Sequence, residues 1–114
     1  MIRSTIKHHI NHYNDFVYST AYASTDNINN SITCYKNAKT VSVCGFFQVK
    51  NADSGILLST IPSGYRPKSL LVCSIIADGG GGARTYIYPD GRIVPQNNLA
   101  AGIWFTLSTA YIIE

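Results

Sequence analysis

From Ser31 onward the chain is a succession of short runs rich in β-branched and aromatic residues, each closed by turn-forming residues. They are "SITCYKN", "KTVSVCGFFQVKN", "GILLSTIP", "SLLVCSIIA", "ARTYIY", "RIVPQ" and "IWFTLSTAYII". Val41, Val43, Phe47 and Val49 fall on one pleat face of the second run. Ser42, Cys44, Phe46, Gln48 and Lys50 fall on the other, a period of two that a strand requires and a helix forbids. Pro89-Asp90-Gly91 between two alternating runs signals a hairpin. No helical pattern separates any two runs, which argues against parallel βαβ units. The expectation is therefore an all-β fold: a compact, single-domain antiparallel sandwich or barrel, jelly-roll-like, of about seven short strands.

One run strains that picture. "SLLVCSIIA", from Ser69 to Ala77, is apolar on both pleat faces, as a strand covered on both sides is. The closing "IWFTLSTAYII" has the same character. A chain of 114 residues has too little interior to enclose both, so cover by identical copies, a homo-oligomer, is expected. Composition agrees. Charged residues make up 13% of the chain, about half the usual ~25%. Part of the surface must then be neutral polar or hidden by another subunit.

The run Gly79–Gly82 between "SLLVCSIIA" and "ARTYIY" is not a phosphate cradle, because no G-K-[ST] and no helix follow it. A mobile or ligand-facing strand connection is expected. Residues 1–30 are polar and Asn-rich and read as an N-terminal arm or linker, a short helix or an extended segment. Residues 31–114 form the head domain. His8, His9 and His12 lie in that arm without the Glu of a zinc-protease motif and read as a solvated segment. No metal and no cofactor are expected. Cys34, Cys44 and Cys73 lack CxxC spacing and read as buried reduced thiols. The net charge of +3 comes from scattered basic residues, so no nucleic-acid partner is expected. No apolar run reaches the roughly 20 residues of a membrane span, and the N-terminus lacks the apolar core of a secretory signal.

Three segments carry a resemblance in order: "GILLSTIPSGYRP" (Gly55–Pro67), "YPDGRI" (Tyr88–Ile93) and "WFTLSTAYI" (Trp104–Ile112). Together they resemble the C-terminal head domains of phage receptor-binding, baseplate and tail-fibre proteins of Gram-positive hosts, over roughly the last 75 residues. The resemblance implies a compact β-barrel that assembles as a homotrimer. It also implies a partnership with other tail or baseplate proteins on the virion, and binding of host-surface glycans without enzymatic activity. The family's chains carry an attachment region and a fibrous shoulder ahead of the head, so this chain reads as a fragment or a free-standing head.

Sugar recognition needs a flat aromatic face and planar polar groups held in place. Tyr86 and Tyr88 share a pleat face with Arg84, and Asp78 and Asp90 bracket the segment. These five residues and Trp104 are the candidate carbohydrate-binding set. The alternatives are plain: Tyr86 and Tyr88 as half-buried cross-strand packers, Trp104 as a core residue. Arg66 in the "GYRP" turn is expected to bond neighbouring carbonyls. No nucleophile elbow is present, and Asp53, Asp78 and Asp90 all sit in turns, so no catalytic residues are assigned. A ligand-free trimerisation or folding cap at a fibre end is the alternative function.

Overall fold

The computed structural model describes residues 19–50 and 56–113. The histidine triplet, the arm up to residue 18, and the turn holding Asp53 lie outside the described residues. Nine strands are present among the described residues: β1 Ser19–Tyr22, β2 Ile28–Asn29, β3 Ile32–Asn37, β4 Thr40–Val49, β5 Ser59–Thr60, β6 Leu71–Ala77, β7 Gly82–Ile87, β8 Arg92–Pro95 and β9 Trp104–Ile112. All pairings are antiparallel, in the order β1-β3-β4-β9-β6-β7-β8-β5, with β2 also on β4.

The alternation in β4 does what its sequence demands. Val41, Val43, Phe47 and Val49 are buried, whereas Cys44 and Phe46 face outward. The same rule sends Phe105 and Leu107 of β9 and Ile75 of β6 inward, where they meet Ile32, Ile87 and Ile93 in one cluster. Each such side chain contributes about 1.5–3 kcal/mol by leaving water. The last strand in sequence is central in space. β9 lies between β4 and β6 and joins the first half of the chain to the β6-β7-β8 meander.

The sheet curls over this core as a half-barrel, and its far edges bond to each other. Ser24 N–H donates to the Thr60 carbonyl at 3.1 Å, Thr60 N–H to Ser24 Oγ at 2.8 Å, and Asn27 N–H to the Leu58 carbonyl at 3.3 Å. Residues 19–30, assigned to the arm by composition, are thus built into the domain. β1 pairs with β3, β2 continues the line of β3 along β4 after a left-handed Asn30, and Ala23 and Ile28 are core. The misreading has a physical cause. These are edge pieces of two to four residues, too short to show a period, and main-chain bonding holds them as much as burial does.

β6 also differs from expectation. Leu71, Cys73, Ile75 and Ala77 point inward, but Val72 and Ile76 point out and remain 47% and 60% exposed. The described residues cover one face only. The Gly79–Gly82 run makes the β6–β7 hairpin, closed by Ala77 N–H to the Gly81 carbonyl at 2.9 Å and Gly80 N–H to the Ala77 carbonyl at 3.0 Å. Gly79, Gly80 and Gly81 all have positive φ (93°, 110° and 81°), and a Cβ on any of them would meet nothing within 4 Å. Backbone conformation, not close approach by a neighbour, calls for glycine there.

Candidate functional site

The β7–β8 hairpin is built by two alternations in register. Thr85 and Ile87 of β7 and Ile93 of β8 turn inward; Arg84, Tyr86, Tyr88 and Arg92 turn outward. Tyr86 stands opposite Val94, and Tyr88 N–H donates to the Arg92 carbonyl at 2.9 Å. The Tyr86 and Tyr88 rings meet edge to face, with centroids 6.2 Å apart and planes at 74°. That is the arrangement their quadrupoles favour. Both rings are half-buried, so they pack across the strand and also offer an edge to solvent.

Arg92, absent from the candidate set, is the residue that organises the tip. Its guanidinium lies 4.3 Å from the Tyr88 ring centroid, and its Nε donates to Asp90 Oδ2 at 2.9 Å and Oδ1 at 3.1 Å. Asp90 Oδ1 also accepts the Arg92 backbone N–H at 3.3 Å. Partial desolvation works to raise the Asp90 pKa. The hydrogen bonds from Arg92, its charge and that of Arg66 outweigh this and hold it below the ordinary carboxylate value. The sequence does signal the contact: Asp90 and Arg92 flank Gly91, which brings them together once the turn forms.

The six candidates do not converge. Asp78 and Asp90 sit at opposite ends of β7, roughly 15–20 Å apart along a strand rising ~3.3 Å per residue. Arg84, Tyr86, Tyr88 and Asp90 line one outward edge. Asp78 belongs with Trp104 instead, its N–H donating to the Trp104 carbonyl at 2.8 Å. Trp104 is not a core residue. It stands on the outward face of β9, half-buried, stacked on Phe46 of β4 with centroids 4.7 Å apart and planes at 14°. Pleat parity explains the placement: Phe105 and Leu107 take the inward positions, so Trp104 must face out. Phe46 takes the outward face of β4 by its own alternation.

Behind the hairpin the segment that ends in "GYRP" locks onto it. Ile61 N–H donates to the Gly91 carbonyl at 2.8 Å, and Arg66 Nε donates to the Ile61 carbonyl at 2.7 Å, the carbonyl-bonding role expected of it. Gly91 has φ 93°, and a Cβ there would run into the Ile61 carbonyl oxygen and lie 2.7 Å from Arg66 Nε. Tyr65 reaches the other way. Its carbonyl accepts the Tyr111 hydroxyl, its hydroxyl meets Ser19 Oγ, and Lys36 Nζ lies 4.6 Å from its ring centroid while donating to the Gly64 carbonyl at 2.8 Å. Burial, with Cys34 close by, pushes the Tyr111 phenol pKa upward.

The cysteines divide by location. Cys34 is fully buried, Cys73 half-buried, and Cys44 exposed on the outward face of β4, so only Cys34 fits the expected buried thiol without reserve. Burial, with Cys44 as the smaller cause, pushes the Cys34 thiol up to about 11. Among the described residues no three His, Cys, Asp or Glu side chains gather as metal ligands. No helix among the described residues is long and apolar enough to cross a membrane. No family model matches the chain, and no curated protein matches it.

Proposed function

We propose that this chain is a non-enzymatic receptor-binding head of a phage tail fibre or baseplate, carried on the virion beside other tail proteins. In this reading it acts as a homotrimer and binds host cell-surface carbohydrate. The observation that carries the reading is the interlock of the three resembling segments. The "GILLSTIPSGYRP" segment bonds to the "YPDGRI" hairpin through the Ile61 N–H and the Gly91 carbonyl, with Arg66 bracing the Ile61 carbonyl, and to the "WFTLSTAYI" strand through the Tyr65 carbonyl and the Tyr111 hydroxyl. Residues far apart in sequence make one unit. The outward edge of that unit carries Arg84, Tyr86 and Tyr88. Among the described residues the Arg84 side chain is exposed and has no partner. Aromatic edges and a planar donor on a rigid hairpin suit hydroxyl-rich ligands.

A glycan array, with adsorption to host cells, tests this. Binding that drops at least ten-fold in Tyr86→Ala/Tyr88→Ala with the assembly intact supports it; an array without hits removes the carbohydrate claim. One observation favours the ligand-free cap instead. Arg92 already covers the Tyr88 ring and neutralises Asp90, so the hairpin tip is satisfied by its own residues. Adsorption unchanged in the double variant, with the trimer retained, decides for the cap.

A further inference from the structure

The outward positions of β1, β3, β4, β9 and β6 carry no Lys, Arg, Asp or Glu. The flanking cations Lys39 and Lys50 lie beyond the two ends of β4, Asp78 follows β6 at the rim beside Trp104, and the first charge on the next strand is Arg84 of β7. The middle of this face is small and flat. Cys44 pairs with Ser108 across β4 and β9, and the next row runs Phe46, Thr106, Ile76 across β4, β9 and β6. Trp104 stacked on Phe46 closes one end. Phe46 is 49% exposed and Ile76 60%, so the described residues leave these two side chains of the patch partly uncovered.

We infer that this face, with Cys44, Phe46, Thr106, Ser108, Trp104 and Ile76 at its centre, is where copies of the chain meet one another. The inference rests on the homotrimer reading above and names its contact surface. Two features select a second copy over another kind of partner. In a three-fold ring the residues that lie on the axis meet their own counterparts, so a charge there would confront its like. A neutral face avoids that repulsion. A different protein gains register and encounter rate from charge complementarity, and this face offers it none. Size agrees: five strands ~4.8 Å apart and six or so residues long give roughly 400 Å² in projection. With side-chain relief that is of the same order as the ~800 Å² per partner of a standard interface. Depletion of charge with retained aromatics is also the composition of an interface core.

Cys44 is a built-in reporter, since it is the exposed thiol of the three. The experiment is light scattering over a concentration series, with the rate of Cys44 modification by a thiol reagent read in parallel, on the whole chain and on Ser108→Lys and Ile76→Lys. Arg84→Glu, on the neighbouring strand, is the control. The expected result is a trimer in which Cys44 reacts at least ten-fold more slowly than in the Lys variants. Those variants should be monomeric with native circular dichroism, and the control should remain trimeric. If either Lys variant fails to fold, Thr106→Lys replaces it, and Cys44 protection on assembly of the unmodified chain still decides. A trimer that survives the substitutions with Cys44 freely reactive overturns this face while leaving the trimer reading intact. A dimer broken by them upholds the face and removes the trimer. A monomer at every concentration removes both.

Discussion

Two outward surfaces of one sheet differ in kind. Over β4, β9 and β6 the exposed side chains are neutral, and their bulk is concentrated in Phe46, Trp104 and Ile76. Directly beyond β6, the β7–β8 hairpin presents Arg84, Arg92 and Asp90 around a pair of tyrosines. Both surfaces stand on the same buried layer, so packing does not account for the contrast. A surface that must lie against its own copy avoids charge. A surface that meets a hydroxyl-rich ligand in water tolerates it and benefits from fixed planar donors.

The hairpin holds its place through one glycine, so Gly91→Ala should have the largest effect. A left-handed φ combined with collision against the Ile61 carbonyl costs about 3 kcal/mol or more, read as a lower midpoint in urea. A loss below about 1 kcal/mol would mean that the "GYRP" turn does not hold the hairpin. Next in size is the interior beneath the neutral face. Cys34 is folded with its thiol protonated and a pKa near 11, against 9.0 for the free group. The native state then binds more protons than the unfolded chain above pH 9. That contribution is fully present below pH 9 and is lost as pH rises through 11, amounting to at most about 2–3 kcal/mol. Thermal melts at pH 8 and pH 10.5 should show the drop, and Cys34→Val should flatten it; an unchanged slope in the variant would show that the thiol is not its source.

Smaller effects separate the surfaces further. Ala38 has φ 56° in the β3–β4 turn, so Ala38→Gly should stabilise by a few tenths to ~1 kcal/mol, relief of the left-handed cost less the added chain entropy. A destabilised Ala38→Gly protein would place the turn in another conformation. The least effect belongs to Asp90. Because its folded pKa is lowered, its contribution is present above the ordinary carboxylate value and is lost as pH falls through the folded one. Asp90→Asn should therefore remove a slight acid-side slope while releasing Arg92 from Tyr88, visible as a change in tyrosine fluorescence. A steep acid transition shared by both proteins would assign it to other carboxylates.

Much of this was legible in the chain because pleat parity is local. The faces of β4, the β7–β8 turn and the outward alignment of Arg84, Tyr86 and Tyr88 each follow from a few adjacent residues. Parity also sets Phe46 outward, and the same alternation, with Phe105 and Leu107 inward, decides between the two readings of Trp104 in favour of the outward face. β1 and β2 were missed because their few residues carry no period. The separation of Asp78 from Asp90 follows from strand length alone. The tie between Asp90 and Arg92 needed the turn to be closed.

The residues by themselves determined the strand class, most strand positions and which side chains leave water, since those depend on alternation and turn chemistry over a handful of positions. Only the tertiary structure decided that the final strand sits between β4 and β6, that Arg66 backs Gly91, and that the neutral outward positions of five strands lie side by side. Those outcomes depend on which strand edges find each other's hydrogen bonds across long loops, and no local pattern encodes that choice.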